Sequence, residues 1–181
     1  MEIVTFKIVG ISPLLQNNPK CIDTSSGLKS KSKIPPEEQA EIRVYRNPAG
    51  EIVMPTTAFR SSLFRACTGR KLGKFAAKSL VAAAVFPVEA QTIILNSDTG
   101  KPAKKYAIHE AFVNVNNCAV MRYRPMIEKW ATLLALEVDT DMLPNPNVLF
   151  ELMNIAGRVA GVGSWRPANL GTYGRFRAET I

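Results

Sequence analysis

Apolar residues in this chain come in short blocks cut by glycine, proline and charge, and the spacing within the blocks switches between the strand period and the helix period. Residues 3–11 are β-branched and apolar with little interruption, which predicts a buried first strand ended by Gly10 and Ser12-Pro13. From 16 to 36 the pattern is polar, with Asn17-Asn18-Pro19 and the basic tract Lys29-Ser30-Lys31-Ser32-Lys33, so a long loop is expected. Pro36-Glu37-Glu38-Gln39 opens a short helix, and Arg43-Val44-Tyr45-Arg46 with Glu51-Ile52-Val53-Met54 flank the turn Asn47-Pro48-Ala49-Gly50 as a small hairpin. The clearest helix comes next. Thr56 or Thr57 caps it, Phe59, Leu63, Phe64 and Cys67 form its apolar stripe, and Gly69 fits its end.

Beyond Gly73, the blocks at 80–86 and 90–95 read as strands separated by Pro87, and 96–105 as a polar, basic tip. Segments 112–115 and 118–123 read as a hairpin around Asn116-Asn117, and 130–138 as a further apolar strand. A second helix starts at Pro146, capped by Asn145, with Val148, Leu152, Ile155, Ala156 and Val159 at helical spacing. A glycine-rich run follows, and residues 173–178 make the last strand. The core order is therefore strand, helix, strand, strand, helix, strand. That is an α+β, ferredoxin-like (RRM-like) βαββαβ core, elaborated by the long first loop and an extra β-hairpin insertion. A length of 181 residues suits one domain, 1–181, able to bury a hydrophobic core.

Composition narrows the class. Hydrophobic content of 46% against 21% charged residues excludes a mainly disordered chain, and no apolar run approaches the ~20 residues a membrane helix needs. The start Met1-Glu2-Ile3-Val4-Thr5-Phe6 lacks the features of a signal peptide, so a cytoplasmic protein with no membrane partner is expected. Cys21, Cys67 and Cys118 are odd in number and contain no CxxC pair, against both a disulfide framework and a zinc site.

Charge changes the picture more. The net charge of +8 and pI near 9.6 point to a polyanionic partner, and the distribution is uneven. Arg60, Arg65, Arg70, Lys71, Lys74 and Lys78 stand in a stretch without acids, as do Arg158, Arg166, Arg175 and Arg177 near the C-terminus. Glu128, Glu137, Asp139, Asp141 and Glu151 face only Lys129, so one surface is expected to be basic and another acidic.

Candidate chemistry concentrates in two places. The run Gly161-Val162-Gly163-Ser164-Trp165-Arg166, followed by Gly171-Thr172-Tyr173-Gly174-Arg175-Phe176-Arg177, alternates glycine, aromatic and arginine. Glycines allow close main-chain approach, arginines contact phosphate, and rings stack on unpaired bases. Gly161 and Gly163 are expected to form an anion-binding nest, with Arg166 and Arg175 supplying charge and Trp165 or Tyr173 a stacking face. The second place is the helix start at Thr56-Thr57, whose free N–H groups and dipole favour phosphate, with Arg60 within one turn. Arg65, Arg70, Lys71, Lys74, Arg122 and Arg124 complete the expected contact set.

Other chemistries fail on spacing. Gly161, Gly163 and Arg166 break the dinucleotide fingerprint at its third glycine, and the run follows a helix instead of opening one. Gly69 and Gly73-Lys74-Phe75 are too closely spaced for a P-loop and put Phe75 where a magnesium-binding hydroxyl is required. His109 is the only histidine, which excludes a histidine zinc cluster or an imidazole pair and points to a structural role. No cofactor is expected.

Met54-Pro55-Thr56-Thr57-Ala58-Phe59-Arg60-Ser61-Ser62-Leu63-Phe64-Arg65 resembles the strand-end-to-helix signature Ile-Pro-Gly-Ser-Ser-Leu-Lys-Gly-Ala-Leu-Arg of the RAMP superfamily, with Thr56 and Ser61 in place of its glycines. The family's C-terminal glycine-rich loop has its counterpart at 161–176. The resemblance implies a subunit that binds guide RNA in a CRISPR effector complex, beside further copies of itself and other subunits of a ribonucleoprotein. It extends to small RAMP-like proteins carried by phages, for which single-stranded DNA is the alternative ligand. Some RAMP backbone subunits cleave RNA in a metal-dependent step with an aspartate in the loop after the first strand, the position of Asp23 here. An assembly or scaffold protein, joining the basic surface of one copy to the acidic surface of the next, is the remaining alternative. Single-stranded RNA binding without catalysis is the leading expectation.

Overall fold

A computed structural model of the chain describes residues 1–19, 34–115, 117–143 and 145–181. Along the chain run β1 (Glu2–Gly10), β2 (Leu14–Leu15), α1 (Pro36–Glu41), β3 (Val53–Pro55), α2 (Thr56–Ala66), β4 (Lys71–Leu72), β5 (Phe75–Ala76), α3 (Ala77–Ala84), β6 (Val85–Pro87), β7 (Gln91–Ile93), β8 (Ala107–Val115), β9 (Cys118–Ile127), β10 (Ala131–Val138), α4 (Pro146–Val159) and β11 (Phe176–Thr180). The fold is mixed α+β, and its sheets are antiparallel.

The largest sheet has the order β11-β1-β10-β6. Strand alternation decides its two faces. Phe6 and Ile8 of β1 pair with Leu134 and Thr132 of β10, and Ile8 also faces Ala178 of β11, so these side chains share the inner face with Leu136 and Phe176. Helices α2 and α4 complete the core there through Phe59, Leu63, Leu152, Met153 and Ala156, all buried with the inner-face residues in one cluster. The Phe59 and Phe176 rings meet edge to face with centroids 5.8 Å apart, and Ser62 Oγ donates to the Ala156 carbonyl at 3.2 Å across the two helices. Gly157 sits where α4 crosses β11, because a Cβ there would run into the Phe176 carbonyl. On the outer face Ile3, Lys7, Leu133, Glu137, Phe86 and Glu179 are exposed or half-buried.

Local sequence accounts for both long helices in different ways. Pro146 occupies the first turn of α4, and Asn145 Oδ1 accepts the Asn147 N–H at 3.0 Å, so this start is capped as expected. Helix α2 starts directly out of β3 with Pro55 before it and no side-chain cap. The Thr56 N–H donates to the Ala90 carbonyl at 3.0 Å, so neither threonine caps. A smaller sheet, β2-β9-β8, stands beside the main one. Gln16, fully buried, ties it to β3 by donating to the Val53 carbonyl at 2.8 Å and accepting the Tyr45 N–H at 2.9 Å.

Several expectations need correction. Residues 80–86 are mostly helix, not strand: Ala77, Val81 and Ala84 of α3 are buried at helical spacing, and the alanine-rich composition favours that state. The strand proper is Val85–Pro87. Segment 90–95 is a strand as expected, β7, which pairs with β3 and bridges to β10 at Leu95↔Ala131, whereas the last strand begins at Phe176 instead of Tyr173. The hairpin around Asn116-Asn117 is longer than its apolar pattern, because β8 and β9 pair from Ala107↔Met126 onward. Around Asn47-Pro48-Ala49-Gly50 only one bridge forms, Arg46↔Ile52. Much of the expected first loop, including Cys21, Asp23 and the Lys29–Lys33 tract, lies outside the described residues. No helix among the described residues is long and apolar enough to cross a membrane.

Candidate nucleic-acid interface

The glycine-rich run connects α4 to β11 and is held by its own main chain. Gly161 N–H donates to Ala156 at 2.9 Å, Val162 N–H to Gly174 at 2.9 Å and Ser164 N–H to Leu15 at 2.8 Å, all carbonyl acceptors. The donors of Gly161, Val162 and Ser164 are therefore committed internally and are not offered to the expected anion-binding nest. Gly163 has φ 80°, and a Cβ on it would meet the Leu15 carbonyl, so this glycine is required by the fold. Trp165 and Leu170 adopt φ 50° and 59°, a left-handed conformation that bulky residues rarely take.

The aromatic residues of the run gather on His109 of β8. Tyr173 OH lies 3.0 Å from His109 Nε2, and the His109 ring is 5.4 Å from Trp165 and 5.2 Å from Tyr173, edge to face in both cases. The Arg124 guanidinium of β9 stands 5.0 Å from the centre of the Trp165 ring. His109 pairs across the hairpin with Arg124, and Ala111 with Arg122, so both arginines emerge on the hairpin face that meets the run. Burial, and after it the charge of Arg124, hold the His109 imidazole below its ordinary pKa, so it is neutral and orients the two rings. Its Nδ1 is buried and has no hydrogen-bond partner among the described residues.

From this cluster a row of cations continues to the C-terminal end of α2. Arg166 follows Trp165 and donates from Nη1 to the Gly163 carbonyl at 2.8 Å. Burial pulls its guanidinium below the usual arginine range, and the charge of Arg65 adds to that, so two basic motifs far apart in sequence lie within electrostatic reach of each other. Arg65 is exposed in the last turn of α2, and beyond it come exposed Arg70, Lys71 and Lys74. Among the described residues, Arg65, Arg122 and Arg166 form no ion pair. Such a row of unneutralised guanidinium groups beside aromatic surface is chemically suited to a phosphate backbone.

The start of α2 is different. Thr57 is exposed, but Thr56 is only 2% exposed and its Oγ1 is buried with no hydrogen-bond partner among the described residues. A cleft of about 320 Å³ opens beside it, bordered by Glu89, Ile93 and Leu133 and by no lysine or arginine among the described residues. Arg60 does not serve this end: its Nε donates to Val85 and its Nη2 to Ala82, both carbonyls at 2.9 Å, and its guanidinium lies over Phe64 and Phe86. It closes the C-terminal end of α3, a favourable place for a cation. Arg175 is exposed at the entry to β11, with its N–H donating to Ser12 Oγ at 3.0 Å.

One basic feature lies outside the expected contact set. An open groove of about 570 Å³ is lined by Lys101, Lys104, Lys105, Lys129, Tyr106 and Glu128, among others. The signal was the basic tip at 96–105, and the pairing of β8 with β9 is what brings it beside Met126 and Ile127. Tyr106 there donates to Glu41 at 2.7 Å, and burial with that bond pushes its phenol up to about 12. Among the described residues no three histidine, cysteine or acidic side chains converge as a metal site. No family model matches the chain, and no curated protein does.

Proposed function

We propose that this protein binds single-stranded nucleic acid, RNA in the first place, through its phosphate backbone. The observation that carries the proposal is the Arg124 guanidinium over the Trp165 ring, with Arg166 next in the chain and within electrostatic reach of Arg65 of α2, and with no ion pair formed by Arg65 or Arg166 among the described residues. A strand lying along this row meets cations at intervals and half-buried aromatic edges beside them. Arg122 shares the hairpin face of Arg124, and exposed Arg70, Lys71 and Lys74 follow Arg65 along the chain.

A ferredoxin-like core is part of the same proposal. The order β11-β1-β10-β6, with α2 following β1 and β3, and α4 following β10, is supported by the strand pairing. Kinship with the RAMP superfamily draws support from where its two motifs fall: one spans the β3–α2 junction, and the other links α4 to β11. Association with further copies draws support from Ile3, Leu133 and Phe86, which are 67%, 52% and 37% exposed on the outer sheet face. Binding without cleavage is the activity proposed.

Fluorescence anisotropy with labelled single-stranded RNA and DNA of one sequence tests the proposal. Log affinity should fall with log salt by about 0.7 for each phosphate neutralised, and tighter RNA binding would point to 2′-hydroxyl contacts. Absence of binding to either polymer at low salt would refute it.

A further inference from the structure

Resting on the nucleic-acid reading above, we propose that the hairpin formed by β4 and β5 is a base-stacking finger, with Phe75 as the platform for an unpaired base. Phe75 is 66% exposed, an unfavourable place for a phenylalanine on a strand of two residues. The pair that closes the turn is Leu72↔Phe75. Leu72 reaches the core and fixes the hairpin, while Phe75 stays in solvent.

The mount is rigid. Gly73 makes the turn with φ 61°, the Arg70 N–H and Ala77 N–H close the base of the hairpin on the Cys67 and Arg70 carbonyls at 3.1 and 3.0 Å, and Arg70 Nε donates to the Ala66 carbonyl at 3.0 Å. A hairpin held this way has little backbone left to order on binding. Lys71, Lys74 and Lys78, each within four residues of Phe75 in sequence, are all exposed and form no ion pair among the described residues.

Ammonium groups beside an exposed ring match the repeating unit of a single strand, a phosphate on each side of a base. Exposed Phe112, by contrast, has Glu110 two residues away and no neighbouring lysine in sequence. Phenylalanine carries no polar handle, and every base has a π-face, so the finger accepts any base. The finger follows the last turn of α2, which carries Arg65.

The test uses single-stranded oligonucleotides carrying 2-aminopurine, with wild type, Phe75→Ala and Phe75→Trp. Phe75→Ala should weaken binding roughly tenfold and abolish the change in 2-aminopurine emission, while leaving the salt slope and melting temperature unchanged. Phe75→Trp should restore binding. Wild-type affinity and emission in Phe75→Ala would overturn the finger and leave the nucleic-acid reading standing. If wild type binds no oligonucleotide at low salt, that reading fails and the finger with it. Loss of self-association in sedimentation, with affinity per copy intact, would make Phe75 a protein contact and overturn the proposal.

Discussion

The two ends of helix α2 carry opposite lessons. At its start, sequence offers everything a phosphate site needs, namely free N–H groups, hydroxyls and an arginine one turn away. The structure turns Thr56 inward, gives its N–H to Ala90, puts Glu89 at the cleft and directs Arg60 to the end of α3. At its finish, where the helix dipole favours cations and repels anions, Arg65 lies within electrostatic reach of Arg166, and exposed Arg70 and Lys71 follow in the chain. Backbone polarity is therefore a poor guide here compared with where unpaired side-chain charge accumulates.

The largest effect expected belongs to the loop that feeds the second end. Gly163→Val combines φ 80° with a Cβ against the Leu15 carbonyl, so calorimetry should show a destabilisation above about 3 kcal/mol, or roughly 10 °C in a domain of this size. A valine variant that melts normally would mean the run is not built as described.

A smaller effect separates two arginines of one helix. Arg60→Ala should cost about 2 kcal/mol, since it removes two charge-assisted hydrogen bonds and two ring contacts, with nucleic-acid affinity unchanged in the folded protein. Weakened binding with an unchanged melting temperature would restore the start of α2 as the contact.

His109 gives the smallest and most specific effect. Its folded pKa is depressed, so the native state binds fewer protons than the unfolded chain, and stability present above the unfolded histidine pKa of about 6.5 is lost as pH falls from there toward the folded value. Melting temperature followed between about pH 7.5 and 5 should decline in wild type, and the part of the decline due to His109 should vanish in His109→Gln. An identical decline in both would detach His109 from the Trp165–Tyr173 cluster.

Much of this fold was legible because apolar periodicity is local. β1, α1, α2, β10 and α4 follow from their own residues, and Asn145 with Pro146 fixed a helix start unaided. Errors came where a tertiary partner decides. The run at 80–86 holds enough Val and Phe to resemble a strand until burial of Ala77, Val81 and Ala84 selects helix. In the site, residue types were legible but not their partners: Arg166 and Arg65 lie far apart in sequence, and the glycines at 161 and 163 answer to the Leu15 and Gly174 backbone instead of to a ligand.

The central claim is that single-stranded nucleic acid runs along the row from β9 past the end of α2. Arg65 and Arg122 make the most direct probe, because neither forms an ion pair among the described residues and they mark separate parts of the row. Salt titrations of single-stranded RNA binding should give the Arg65→Ala, Arg122→Ala double variant a slope shallower than wild type by about 0.7 for each phosphate that the missing guanidinium groups no longer neutralise, with a melting temperature within about 2 °C. Equal affinity and equal slope in the two proteins would contradict the account.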